Sequence, residues 1–244
     1  MTYSKTGGRL AGRIALVTGA SRGIGRAIAL RYAAEGAHMV LVARTRGGLE
    51  EVDDAIRTAG GLPATLVPLD LREGAKIDEM GGALFQRLGR LDILVANAAV
   101  LGPISPLPHV DPKRWDEAIA VNLTANFRLI RSLDPLLRLS PSGRAIFVTS
   151  SAGRMHKAYR GVYGVTKAGL DMLVRTYSAE TERTNIRVNL VDPGAVRTAM
   201  RAELLPGEDP LTVKTPETLG DLFVELGEAS CQRHGEMLLA PNQA

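Results

Sequence analysis

The chain has 244 residues, 45% hydrophobic, 4% aromatic and 23% charged, with 26 glycines and one cysteine. That composition excludes a disordered, collagenous or disulfide-stapled chain and fits a single globular domain over 1–244 that can support its own core. The net charge of +4 is a small excess of 30 basic over 26 acidic residues, well interspersed, and does not indicate a nucleic-acid partner. Cys231 has no second cysteine to pair with, and four scattered histidines give no metal-ligand cluster, so no metal is expected. The start, MTYSKTGGR, is polar, and no apolar run approaches the roughly 20 residues that span a bilayer, which points to the cytoplasm and away from a membrane.

Short apolar runs alternate with segments of helical period along the whole chain. The expected strands are RIALVT (13–18), HMVLVA (38–43), ATLVPL (64–69), LDILVA (91–96), RAIFVT (144–149), IRVNLV (186–191) and EMLLA (236–240). Between them fit helices at 24–35, 48–59, 75–88, 112–139, 158–183 and 216–228. Glycines at 36, 60 and 89 mark helix stops, and Asp111-Pro112 supplies an N-cap followed by proline. The order predicts an α/β, doubly wound Rossmann fold: a seven-stranded parallel sheet with helices on both faces. Ligands of such sheets sit beyond the C-terminal strand ends, so the residues that follow strands are the candidates for chemistry.

After the first strand comes TGASRGIG, in which Gly19, Gly23 and Gly25 flank Ser21, Arg22 and Ile24. Glycines there let the backbone approach a pyrophosphate held by the free amides of a helix N-terminus, and the alternative is a purely structural turn. No Lys-Ser or Lys-Thr follows the last glycine, which excludes a P-loop. The spacing G-x-x-x-G-x-G resembles the short-chain dehydrogenase/reductase family. An NAD enzyme needs a carboxylate after the second strand, but this chain reads VLVARTR, with Ala43 in that place and Arg44 next. Arg44 and Arg22 suit the 2′-phosphate of NADP(H), unless Arg44 and Arg46 are merely solvated loop charges. The resemblance further implies Asp70 and Leu71 at the adenine. Asn97, in VANAAV, is either a link between strands that lines the adenosine side or a plain strand-end turn.

Tyr163 has a lysine four residues on, and on a helix Lys167 would share its face and lower its pKa. Ser150 stands thirteen residues before Tyr163, with Gly153 favouring it over Ser151, and Asn122 falls within the long preceding helix. These separations are similar to the family's catalytic tetrad. The resemblance implies hydride transfer between a nicotinamide and a carbonyl or secondary alcohol, with Tyr163 as acid and base and Ser150 as hydrogen-bond donor. It also implies that Lys167 tunes Tyr163 and contacts the ribose, and that Asn122 holds a water. Pro193, Gly194, Val196 and Thr198, in VDPGAVRTAM, would flank the nicotinamide.

The resemblance covers 11–240 and the NADP-preferring branch of roughly 250 residues. It is broadly similar to bacterial 3-oxoacyl-carrier-protein reductases, although RHGEMLLAPNQA departs from their usual ending. Leu101, Gly102, Met155, His156, Tyr159 and the stretch 200–211 would select the small-molecule substrate. The stretch around 198–214 is either a lid or an ordinary surface excursion. The family also implies a homodimer or homotetramer. The alternative function is a catalytically idle NADP(H)-binding sensor on the same fold, against which the intact tetrad argues.

Overall fold

The computed structural model describes residues 7–241. Most of the polar start of the chain and the closing residues 242–244 lie outside them. The strands are β1 (Ile14–Thr18), β2 (His38–Ala43), β3 (Thr65–Pro68), β4 (Ile93–Ala96), β5 (Arg144–Val148), β6 (Arg187–Asp192) and β7 (Met237–Leu239). The helices are α1 (Gly23–Ala34), α2 (Arg46–Thr58), α3 (Gly74–Leu88), α4 (Pro112–Ile119), α5 (Ala125–Arg138), α6 (Gly161–Thr181), α7 (Ala199–Leu204) and α8 (Gly220–Gly227).

All seven strands run parallel in the order β3-β2-β1-β4-β5-β6-β7, which is the doubly wound sheet that the alternation of elements predicts. Successive residues of a strand feed opposite faces. In β1, Ala15 and Val17 join the core shared with α1, α2 and α8, and Ile14 and Leu16 join the core shared with α3, α5 and α6. Strands covered on both faces are apolar almost throughout, which is why their runs stand out in the sequence. The strand order reverses between β1 and β4, and the cleft opens there at the C-terminal strand ends.

Helix limits follow local chemistry. Gly36, Gly60 and Gly89 all take positive φ just beyond α1, α2 and α3, and the Asp111 carboxylate accepts from Lys113 N at 2.9 Å at the start of α4. Besides α7, which is not among the expected helices, three regions differ from the sequence expectation. The helix expected over 112–139 contains a π-helical stretch, Ala120–Thr124, between α4 and α5. The helix expected from 158 begins at Gly161, because Tyr159 takes a left-handed φ of 68° that interrupts helical backbone. The segment expected over 216–228 divides into a 3₁₀ turn, Pro216–Leu219, and α8.

Candidate active site

The glycine turn brings backbone against backbone. A side chain at Gly25 would place its Cβ 2.3 Å from the Gly19 carbonyl oxygen, and Gly19 itself takes φ 67°. Arg22, the N-cap of α1, offers no side-chain cap, and the first turn carries no acidic residue. The leading amides and the positive end of the α1 dipole therefore remain available to an anion. Asn97 fastens the floor of this turn: its Nδ2 donates to Thr18 O at 2.9 Å, and Asn97 N and Ala98 N donate to Thr18 Oγ1 at 3.0 Å. Asn97 thus ties the ends of β1 and β4 across the switch point, the strand-linking option of the two that its sequence position leaves open.

The cleft above the turn has a volume of about 700 Å³. Of the residues expected at the cofactor, Gly19, Ser21, Arg22, Gly23, Ile24, Arg44, Asp70, Leu71, Asn97, Tyr163, Lys167, Pro193, Gly194, Val196 and Thr198 all line it. Gly25 does not line it and acts from beneath, through the close approach above. Arg46 pairs with Glu50 at 2.8 Å, whereas Arg22 and Arg44 form no ion pair among the described residues. Asp70 is held by Arg72, whose Nη2 donates at 2.6 Å and whose backbone amide donates at 2.9 Å, and this keeps its carboxyl below the usual range. Thr198 reaches the glycine turn, with its methyl 3.4 Å from the position that a Cβ on Gly23 would take.

At the other end of the cleft, Ser150 follows β5 and caps a 3₁₀ turn, Ser151–Gly153, by accepting from Ala152 N at 3.2 Å. A Cβ at Gly153 would lie 2.8 Å from Ala168 N and from the Lys167 carbonyl carbon. Glycine is what lets this turn rest on the α6 backbone beside Lys167. Ser150, Tyr163 and Lys167 all line the cleft at this end, with the serine close enough to the phenol to act on its ionisation.

Their electrostatics differ from the sequence expectation. Burial pushes the Tyr163 phenol up to about 12, against the opposing effect of the Ser150 hydrogen bond. Burial also brings the Lys167 ammonium down to about 8, with Asp171 and Asp192 acting in the other direction. The phenol is thus raised rather than lowered as expected, and the Lys167 ammonium donates to Val148 O at 2.8 Å and stands 5.6 Å from the phenol ring centroid.

Asn122 differs as well. It sits fully buried in the π-helical stretch and does not line the cleft. Its Oδ1 accepts from Val100 N at 2.8 Å, and its Nδ2 donates to Val100 O at 2.8 Å and to Thr166 Oγ1 at 3.1 Å. With its side-chain amide engaged at both ends, Asn122 clamps the segment after β4 to α6.

Of the residues expected to select substrate, Leu101, Met200 and Leu204 line the cleft, whereas Gly102, Met155, His156 and Tyr159 do not. The stretch after β6 contains α7, capped by Thr198 Oγ1 accepting from Arg201 N at 3.2 Å. Arg201 grips Glu208 through two hydrogen bonds of 2.6 and 2.5 Å and also faces the cleft. Sequence reasoning missed Arg26 and Thr45, which line the cleft, and Thr166, which joins Asn122 to α6. Arg26 was discoverable, one helical turn beyond Arg22; nothing local marks Thr166.

Known proteins agree with this geometry. The short chain dehydrogenase family matches residues 13–209. An oxidoreductase of Escherichia coli, YciK, is 35% identical over 96% of this chain and 94% of its own length. A solved short chain dehydrogenase from Pseudomonas syringae superposes with a TM-score of 0.91 at 38% identity, covering 99% of this chain and all of that one. Another from Escherichia coli CFT073, complexed with NADPH, gives a TM-score of 0.90 at 35% identity over 93% of this chain and 96% of its own. The protein belongs to the short-chain dehydrogenase family and is an oxidoreductase by descent. No helix among the described residues is long and apolar enough to cross a membrane.

Proposed function

We propose that this chain is an NADP(H)-dependent oxidoreductase acting on a carbonyl or secondary alcohol, with Tyr163 exchanging the proton. The observation that carries the reading is that Ser150, Tyr163 and Lys167 share a wall of the same cleft that the glycine turn opens. The cofactor supplies the hydride. The α1 amides hold its pyrophosphate, Arg22 and Arg44 hold the 2′-phosphate, and Asp70, Leu71 and Asn97 border the adenosine. Pro193, Gly194, Val196 and Thr198 flank the nicotinamide side.

The Ser150 hydroxyl accepts from Ala152 N and keeps its own proton to donate to the substrate oxygen. The Tyr163 hydroxyl gives its proton to the same oxygen as negative charge develops there, and takes it back in the reverse direction. Lys167 holds a positive charge behind Tyr163 and reaches the ribose. Asn122 acts as a brace between the segment after β4 and α6. The stretch around 198–214 covers the substrate as a lid, with Met200 and Leu204 presenting apolar surface. The exposed Phe127, Val165 and Met172 on α5 and α6 suit a homodimer or homotetramer.

Purified protein mixed with NADPH and a panel of ketones, aldehydes and 3-oxoacyl thioesters, followed by cofactor absorbance, tests this reading. We expect turnover that Tyr163→Phe reduces by about 10²- to 10⁴-fold with NADPH affinity preserved. A panel in which nothing is reduced, with NADPH still bound, would leave a cofactor-binding protein in place of an enzyme.

A further inference from the structure

Behind the Ser150–Tyr163–Lys167 wall lies a cluster of charges to which no step of the reaction described above assigns a role. Arg154 ends the turn that Ser150 begins. Its Nη1 donates to Asp171 Oδ2 at 3.2 Å and its Nη2 donates to Asp192 Oδ2 at 2.5 Å. Asp171 stands one helical turn beyond Lys167 on α6, and its other oxygen accepts from the Thr149 hydroxyl. Asp192 ends β6, and its other oxygen accepts from Gly194 N at 3.1 Å, inside the segment that borders the nicotinamide side. Both aspartates are buried, while about a third of the Arg154 side chain, 35%, remains exposed.

We propose that Arg154 is a positioning residue: by bridging Asp171 and Asp192 it holds the Ser150 turn, the Lys167 helix and the Pro193–Gly194 loop in one fixed arrangement. A planar guanidinium can serve two carboxylates from separate elements at once, which an ammonium cannot do with the same geometry. The inference rests on the reading of Tyr163 and Lys167 as the proton-handling pair.

The charges around that pair set the sign of the effect. Lys167 is faced by Tyr163 and Asp171 from α6 and by Asp192 from β6; Arg154 offsets both aspartates, and Lys214 also feels the Asp192 charge. Asp192 also opposes ionisation of Tyr163. Removing Arg154 leaves two buried carboxylates uncompensated beside the pair, which favours the protonated form of Lys167 and of Tyr163. Removing the Asp192 charge does the reverse.

The test compares the full-length wild type with Arg154→Met, Arg154→Lys and Asp192→Asn, in pH profiles of turnover and of NADPH affinity read by cofactor fluorescence. With Arg154→Met, kcat should fall about tenfold or more through misplacement, and the pH midpoint should rise by about one unit. Asp192→Asn should move the midpoint down, and Arg154→Lys should recover part of the loss. Opposite-signed shifts are not produced by a merely structural role. The proposal is overturned if folded Arg154→Met and Arg154→Lys keep the wild-type profiles, or if Arg154→Met and Asp192→Asn move the midpoint in the same direction. Should Arg154→Met fail to fold, Asp192→Asn still decides the sign, and a midpoint that does not move down overturns the proposal. A wild type that binds NADPH but reduces no panel member would defeat the functional reading, while the affinity profile continues to test Arg154.

Discussion

Lys167 carries a positive charge to a place that solvent barely reaches, with 2% of its surface exposed. Its ammonium sits at about 8 in the fold, below the ordinary 10.5 it has in an unfolded chain. At a pH between these values the folded protein has released the proton that the unfolded chain keeps. The group therefore adds stability as pH rises through that window, and its penalty is complete below about pH 8. The full penalty is at most roughly 3 kcal/mol, and replacing the lysine also strands the Val148 carbonyl. Lys167→Met should accordingly raise Tm at pH 7 while abolishing turnover, and the gain should shrink as the pH approaches 10. Thermal melts of the cofactor-free protein at several pH values would check this. Arg44 makes a different residue-scale prediction. Without an acid at Ala43 to repel a 2′-phosphate, Arg44→Ala should weaken NADPH binding about 10- to 100-fold and NADH binding little. Equal losses for the two cofactors in titration would count against 2′-phosphate recognition.

The π-helical stretch between α4 and α5 shows what an element adds to its residues. The sequence around Asn122 reads as uninterrupted helix, because hydrophobic periodicity marks which face is buried and is nearly blind to one extra residue per turn. The widened turn carries Asn122 to a buried position where one amide side chain satisfies both the amide and the carbonyl of Val100. Asn122→Leu would leave both Val100 groups unpaired and should cost about 2 kcal/mol or more. Because the clamp also fixes α6 through Thr166, turnover should fall along with stability. Denaturant unfolding and kinetics on the same variant would separate this from a purely chemical role, which would lower kcat and spare stability. The start of α6 teaches a related lesson: the apolar pattern continues back to 158, but the left-handed turn at Tyr159 delays the helix to Gly161.

Across the whole molecule, the sheet divides the interior into two cores that share only the strands. Val52 on α2 belongs to one core and Leu133 on α5 to the other. Val52→Ala should cost about 1 to 3 kcal/mol and Leu133→Ala about 2 to 5 kcal/mol, with the double variant additive to within about 0.5 kcal/mol. Strong coupling in a denaturant double-mutant cycle would mean that the sheet transmits packing changes between its faces. The parallel sheet, the glycine turn and the residue types at the cleft are legible in the chain order alone. These depend on local rules: apolar runs for strands buried on both faces, glycine where backbones meet, and fixed spacing on a helix. Packing in three dimensions is what engages the Asn122 side chain with Val100 and Thr166, raises the Tyr163 phenol by burial, and joins Asp171 to Asp192 through Arg154. Each depends on groups distant in sequence coming within a few ångströms, where burial and charge act through space and leave no periodic trace along the chain.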